Sequence, residues 1–336
     1  MKAVGYHHNL PIDDPRALED LELPAPQPGP RDLLVRVKAV SVNPVDTKVR
    51  RNTAPPAGQA KVLGWDAVGI VEAVGPQAQG FAVGDRVWYA GSITRPGANS
   101  ELHAVDARIV SKAPASVADA QAAALPLTAI TAWELLFDRL RVPQGGGAGQ
   151  TLLVVGGAGG VGSILIQLAR QLTQLRVVAT ASRPESREWC LALGAHAVID
   201  HSQPLAEALK AAGLGQVDYV ASLTQTPRHY AQIVESLKPQ GALGVIDDMK
   251  GLEVDLLKTK ALSLHWELMF TRPMFETPDI AEQGRLLAQV AALVDAGRLR
   301  TTANAAFGRI TAANLARAHA LVESGKAVGK VVLEGF

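Results

Sequence analysis

The chain has 336 residues, 48% of them hydrophobic and 19% charged. It is too long for one ordinary core, suits two domains of roughly 100 to 200 residues each, and carries too much apolar material for disorder. Its 33 Lys plus Arg against 32 Asp plus Glu leave a formal net charge of +1, so the broad positive field that draws nucleic acid or an anionic membrane is missing. The single cysteine, Cys190, excludes an intramolecular disulfide and a thiolate metal cluster, and its expected role is packing. The opening residues carry no apolar signal-peptide run and no stretch of about 18 apolar residues stands out, so the expected address is cytoplasmic.

From residue 1 to about 120 the chain reads as short β-rich runs broken by Gly and Pro, an antiparallel β domain. Its clearest strands are 33–40 and 67–74, and the turns at 76–80 and 83–87 carry the Gly and Asp that tight turns need. From 121 to 269 apolar β runs alternate with helical stretches, the pattern of a parallel sheet built from βαβ units. Strands are expected at 152–155, 177–180, 197–200, 219–222 and 242–246, five in a doubly wound sheet. The Gly-rich piece 143–150 reads as a flexible lead into the first of them. After Pro278 a helix with Leu286, Leu287, Val290, Leu293 and Val294 on one face stops at Gly297, and another stops at Gly325. These elements and the closing run 331–333 break the alternation, and are expected to return to the first domain.

The strongest motif is Gly157-Ala158-Gly159-Gly160-Val161-Gly162, which follows an apolar strand and opens a helical run. Glycines there let the backbone turn sharply and approach a pyrophosphate, which meets free N–H groups and the positive end of a helix dipole. A site for NAD usually has an acid about 20 residues on, to bond the adenosine ribose. Here the second strand ends Thr180-Ala181-Ser182-Arg183 with no acid, and Ser182 with Arg183 suits a 2′-phosphate, so NADPH is the expected cofactor. His201, after the third strand, is a further candidate for that phosphate. Ser182 and Glu185 also have the spacing of a capping box for the next helix.

Six segments fall in the order of one family: Val42 to Thr47, Gly64 to Gly69, Val83 to Val87, Leu125 to Ala132, the glycine loop, and Gly194 to His201. On these motifs nearly the whole chain resembles a medium-chain dehydrogenase/reductase of the zinc-free quinone oxidoreductase branch. The resemblance implies an α/β protein: a GroES-like β catalytic domain (1–120, completed by 270–336), a Rossmann NADPH-binding domain (121–269), and an active site in the cleft against the latter. Zinc alcohol dehydrogenases of the same superfamily carry a cysteine ligand where Asn43 to Asp46 stands and Gly-His-Glu where Gly64-Trp65-Asp66 stands, and they have a four-cysteine lobe with no counterpart here. No metal is therefore expected. Without a Lewis acid to hold an alkoxide, reduction of polarised acceptors such as quinones and conjugated enones is the natural reaction.

By resemblance Asn43 and Thr131 lie beside the nicotinamide, Asp46 and Lys48 lie on the same stretch as Asn43, and Gly329 and Lys330 stand near the cofactor. The residues implied to line its ring are Leu223 and Ile246, after two strand ends. Many relatives carry an aromatic residue at the Lys48 position. Trp65, Tyr89, Phe270 and Phe275 are candidates to line the acceptor pocket. A homodimer is implied as well, since such dimers are common in the family, with a small-molecule quinone or enone as the other partner. Two other readings fit the sequence: a noncatalytic NADPH-binding redox sensor or structural protein, and a zinc-dependent alcohol dehydrogenase with atypical ligands.

Overall fold

The computed structural model describes all 336 residues, and they divide into two compact units, Met1–Ile130 with Phe270–Phe336, and Thr131–Met269. In chain order the first unit opens with β1 (Lys2–Tyr6), β2 (Glu19–Glu22), β3 (Asp32–Val42), α1 (Pro44–Asn52), β4 (Lys61–Val62), β5 (Ala67–Val74), β6 (Arg86–Tyr89), β7 (Leu102–Asp106), β8 (Ser111–Lys112), α2 (Asp119–Ala123) and α3 (Pro126–Trp133). The second unit contains β9 (Thr151–Val155), α4 (Gly160–Leu172), β10 (Arg176–Thr180), α5 (Pro184–Ala192), β11 (Ala197–Ile199), α6 (Leu205–Ala211), β12 (Val217–Ser222), α7 (Thr226–Ser236), β13 (Leu237–Val245) and β14 (Ser263–Trp266). The first unit is completed by α8 (Thr271–Phe275), α9 (Glu282–Asp295), β15 (Ala303–Ala306), α10 (Ala312–Glu323) and β16 (Lys330–Glu334).

The first unit is a GroES-like fold of two sheets, one ordered β2-β1-β4 and the other β15-β16-β3-β5-β6-β8, with β7 also paired to β3. Along β3, Val35, Val37 and Ala39 are buried while Arg36 and Lys38 are exposed, the period of two of a half-covered strand. From Ala39 to Val42 every residue is buried, because that half lies between β5 and the returning β16, which pairs it antiparallel with Val331 opposite Val42. In the 83–87 turn Gly84 takes φ +94° and the Asp85 carboxylate accepts from Ala82 N–H at 2.8 Å, the turn chemistry the sequence announces. In α9, Leu286, Leu287, Val290 and Val294 are buried, and Gly297 ends the helix with φ +68°.

In the second unit six parallel strands lie in the order β11-β10-β9-β12-β13-β14, the doubly wound 3-2-1-4-5-6 arrangement. The sequence announces five of them. The sixth, Ser263-Leu264-His265-Trp266, is a short edge strand with no fully buried residue, so it has neither an apolar run nor a clean alternation.

Three further expectations need correction. The units divide at Ile130 and Thr131 rather than at 120, because the N-terminus of α3 is held by the first unit, where the Asp66 carboxylate accepts from Leu127 N–H at 2.7 Å. The 143–150 piece is an ordered turn: Gly145 N–H donates to Leu172 O, Gln174 N–H donates to Gly146 O, and Gly145, Gly147 and Gly149 all take positive φ. Finally, one run, Asp119–Arg139, is long and apolar enough to cross a bilayer by composition, but most of it is buried inside the protein, as a core helix is.

Candidate functional site

Parallel strands place all their C-terminal ends on one edge, so the residues after β9 to β13 collect there, beside the switch point where β10 and β12 flank β9. Ligands of doubly wound sheets bind at that position. After Val155 the chain turns on Gly156 at φ +87°, and α4 begins at Gly160. The glycines serve different ends. A Cβ on Gly157 would lie 2.7 Å from Ala179 Cβ and 3.1 Å from Cys190 Sγ, and one on Gly162 would lie 2.4 Å from Gly156 O. These two let the loop sit on β10 and α5 and let α4 close onto the turn. Gly159 is unlike them, since a Cβ there would find only Gly156 O within 4 Å, at 3.5 Å. Its side of the loop is open.

No side chain caps α4, so the N–H groups of its first turn, Gly160 and Val161 among them, have no intrahelical acceptor. With the helix dipole behind them they form a donor set for an anion. Ala158 is buried beneath the turn. The loop is tied to β10 by Thr180, which the sequence gives no reason to single out: its carbonyl accepts from Gly157 N–H at 3.2 Å and its hydroxyl from Gly156 N–H at 3.1 Å. That hydroxyl also lies 3.1 Å from His201 Nδ1, so one side chain links the glycine turn to the end of β11.

Ser182 is exposed after β10, and Arg183 beside it is the N-cap of α5. The capping box expected of Ser182 and Glu185 does not form. Proline at position 184 fixes the first helical φ, which moves the cap one residue on, to Arg183. The Arg183 guanidinium donates to Ser186 Oγ at 3.2 Å, lies 3.6 Å from a Glu185 oxygen, and remains 38% exposed. His201 meets the edge of His229 with ring centroids 5.9 Å apart. Burial holds both imidazoles below their usual range; Asp200 pulls His201 back up while Arg228 lowers each of them. This basic strand end, with Arg228 and His229 brought in by α7, is wider than the sequence shows. Leu223 and Ile246 follow β12 and β13 half-buried, their N–H groups donating to Val155 O and Ser222 O. Thr131 is buried in α3 at the start of this unit.

The remaining expected site residues belong to the first unit, and three of them, Asn43, Asp46 and Lys330, join Asp66 in a hydrogen-bonded network. Asn43 is the N-cap of α1, and its N–H donates to Asp46 Oδ2 at 2.7 Å. The other Asp46 oxygen accepts from Gly64 N–H at 3.0 Å. The Asn43 amide donates to Asp66 Oδ2 at 2.7 Å and accepts from Lys330 Nζ at 2.5 Å. Lys330 also donates to Val42 O and to Asp66 Oδ2, each at 3.0 Å. Asn43 and Asp46 are 1% exposed, Asp66 0% and Lys330 3%. Burial pushes the Asp46 carboxyl up to about 7, with backbone N–H bonds and the Lys330 ammonium opposing it; burial raises Asp66 too, against the same ammonium. In this structure the polar atoms of Asn43, Asp46 and Lys330, expected near the ligand, bond one another, Asp66 and neighbouring backbone. Lys48 is exposed on α1, and Gly329, at φ +63°, is the turn that aims Lys330 inward. Asp66 is the member that sequence reading passes over; its signal was its place in Gly64-Trp65-Asp66.

The expected acceptor-pocket aromatics divide in the same way. Trp65, Tyr89 and Phe270 are core residues of the first unit: Trp65 donates to Ser92 O at 3.1 Å and meets Phe270 edge-on at 6.1 Å, and Tyr89 stacks on His103 at 5.4 Å. Phe275 is 72% exposed.

Against this geometry stand the likenesses to known proteins. Residues 29–115 match the alcohol dehydrogenase GroES-like domain, and residues 193–333 match the zinc-binding dehydrogenase family. A zinc-type alcohol dehydrogenase-like protein of Staphylococcus aureus is 36% identical over 99% of both chains. The crystal structure of a candidate zinc-dependent alcohol dehydrogenase from Rhizobium etli superposes with a TM-score of 0.96 at 59% identity, covering 100% of this chain and 98% of that one. Quinone oxidoreductase of Escherichia coli, solved with NADPH, superposes with a TM-score of 0.83 at 25% identity over the whole of both chains. The chain belongs to the medium-chain dehydrogenase/reductase superfamily, oxidoreductases that work with a nicotinamide nucleotide.

Both groups that such relatives hold can be tested against the residues. A dinucleotide fits: the turn demands glycine at 156, 157 and 162, leaves Gly159 open, and ends in an uncapped helix. Zinc does not fit. No group of three or more His, Cys, Asp and Glu side chains could hold a metal, and the Asp66 oxygens already accept from Leu127 N–H, the Asn43 amide and Lys330, where a catalytic zinc needs three protein ligands and an open position.

Proposed function

We propose that this protein is an NADPH-dependent reductase that delivers a hydride to a quinone or conjugated enone or related carbonyl acceptor without zinc. The observation that carries the reading is the glycine-built anion cradle beside a β10 end that offers Ser182 and Arg183 in place of an acid. The likeness to a quinone oxidoreductase solved with NADPH supports both the cofactor and the acceptor class. When bound, the nicotinamide supplies the hydride. The loop N–H groups hold the pyrophosphate, Arg183 neutralises the 2′-phosphate with His201 as a hydrogen-bonding partner, and Leu223 and Ile246 offer apolar packing to the ring. By the resemblance, the Thr131 hydroxyl is a group that orients the ring or an acceptor oxygen, while within the first unit Asn43 and Asp46 hold α1 in place from inside. With no metal to stabilise an alkoxide, acceptors that are already polarised are the ones turned over.

The assembly that goes with this reading is a cytoplasmic homodimer. The edge strand β14 has one side without a strand partner, and Trp266 and Leu268 are 50% and 51% exposed on and just beyond it.

The test is oxidation of NADPH and of NADH with a panel of quinones and enones after exhaustive chelation. NADPH-selective turnover that survives chelation is expected. Tight NADPH binding with no turnover across the panel would replace the reductase with a redox sensor, and activity restored only by zinc would replace it with an alcohol dehydrogenase.

A further inference from the structure

A polar chain joins the ends of β12 and β13 to the start of α7. Asp247, the residue after Ile246, reaches across with its carboxylate, Oδ2 accepting from Thr226 N–H at 3.0 Å and Oδ1 from the Thr226 hydroxyl. A carboxylate only accepts, so the hydroxyl hydrogen of Thr226 is committed to it, and the Ser222 hydroxyl, 2.7 Å away, donates to Thr226 Oγ1. Ser222 closes β12, and both it and Thr226 are 0% exposed, so neither hydroxyl can turn to water instead. The result is one directed chain, Ser222 to Thr226 to Asp247.

The chain encloses residues 223–225. Gln225, the N-cap of α7, sits at φ +49°, a left-handed conformation that is strained for a residue with a Cβ, and it gives the helix no side-chain cap. Asp247 meets the helix N-terminus in its place, from the neighbouring strand end, and so helps to hold a segment that is strained on its own. Within that segment Thr224 lies against the glycine turn: a Cβ on Gly156 would come within 2.8 Å of Thr224 Cγ2. The backbone bonds at these strand ends are longer, Leu223 N–H to Val155 O at 3.2 Å and Ile246 N–H to Ser222 O at 3.3 Å.

We infer that Asp247 is a positioning residue for the nicotinamide: through Thr226 and Ser222 it locks the segment after β12 to the segment after β13, and so fixes the spacing of Leu223 and Ile246, the apolar side chains offered to the ring. Ser222 immediately precedes Leu223 and Asp247 immediately follows Ile246, so the chain ties the pair together from just outside it. Reacting groups must be held within about 0.5 Å of their productive geometry, and half-buried side chains on two separate segments keep such a spacing only when the segments are joined. Geometry rather than charge is what the role requires. Asp247→Asn can still accept from Thr226 N–H through Oδ1 and donate to Thr226 Oγ1 through its amide, with the hydroxyl hydrogen of Thr226 turned toward Ser222. The inference rests on the nicotinamide-nucleotide reading of the site and is independent of which acceptor is reduced.

Nucleotide binding tests this without turnover. Wild type, Asp247→Asn, Asp247→Ala and Ser222→Ala would be titrated with NADPH, followed by nicotinamide emission, and with adenosine 2′,5′-bisphosphate, which keeps the adenosine half and lacks the ring. Circular dichroism is the check on folding. Asp247→Ala is expected to weaken NADPH by about tenfold and to shift the emission of the bound ring toward that of free NADPH. The bisphosphate should stay within about twofold of wild type, and Asp247→Asn should restore both the NADPH affinity and the emission. Equal losses for the two ligands would make the chain a support of the whole unit and overturn the inference. So would unchanged NADPH affinity and emission in folded Asp247→Ala, or Asp247→Asn as impaired as Asp247→Ala. If Asp247→Ala does not fold, Ser222→Ala decides by the same comparison of the two ligands, with a loss of about threefold for NADPH expected. A wild type that binds both ligands but reduces no acceptor would sink the reductase and leave this inference standing, whereas one that binds neither would overturn the cofactor reading and this inference with it.

Discussion

The glycine turn of the second unit and the Lys330 network of the first are built on opposite plans. The turn is made of backbone: its side chains are missing by necessity, its helix N-terminus is uncapped, and one side, at Gly159, is open. The network is made of side chains whose polar atoms bond one another, and it is closed. Unsatisfied donors at a surface mark a place for a ligand, whereas saturated and buried groups mark a place that holds the fold. Residues that match a family's active-site motif can therefore belong to either kind, and their hydrogen bonds tell which.

The largest effect should come from breaking the closed site. Asp66→Ala strands the Lys330 ammonium in the core and should cost about 3 to 5 kcal/mol in denaturant unfolding, with nucleotide affinity of the folded fraction little changed; a loss under about 1 kcal/mol would show that the pair does not lock the first unit from inside. Breaking the open site should do the reverse. Gly162→Val drives a side chain into Gly156 O and should weaken NADPH and NADH alike by about 100-fold in a fluorescence titration, and unchanged affinity would deny the turn its role.

Acid sharpens the contrast further. His319, 0% exposed in the first unit with both ring nitrogens lacking hydrogen-bond partners, is lowered by burial, and then by Arg50, to about 3. Below the ordinary value of 6.5 the unfolded chain takes up a proton that the folded one refuses, so this stability is present above pH 6.5 and lost as pH falls toward 3. His319→Leu should flatten the fall in stability between those limits by up to about 1.4 kcal/mol per pH unit, measured by denaturant melts; a slope equal to that of wild type would refute it.

Smaller effects should resolve the open site. Arg183→Ala should weaken NADPH by about tenfold and NADH hardly at all, and equal losses would remove the 2′-phosphate assignment. Gly159→Ala should leave the melting temperature nearly unchanged, since φ is −72° and a Cβ meets nothing closer than 3.5 Å. It should still weaken both nucleotides, because that Cβ would occupy the open side; full affinity would place the ligand elsewhere.

What could be read in advance follows the same division. Strands β9 to β13 were legible because buried parallel strands are apolar along their length, and β14 was not, because an edge strand with exposed Ser263 and Trp266 lacks that signal. The glycine turn was legible since glycine is required by local backbone geometry. The cap of α5 was misread by one residue because Ser182 and Glu185 carry the box spacing while Pro184 sets the helix start.

By itself the sequence determined the two-unit α/β plan, the strand that precedes the turn, and the turn, since each depends on residue types close together along the chain. Only the tertiary structure decided that Thr180 ties the turn to His201, and that Asn43, Asp46, Asp66 and Lys330 are partners of one another. The physical reason is distance along the chain: a hydrogen bond between residues 66 and 330 comes from the pairing of β16 with β3, and no local pattern of residues encodes that pairing.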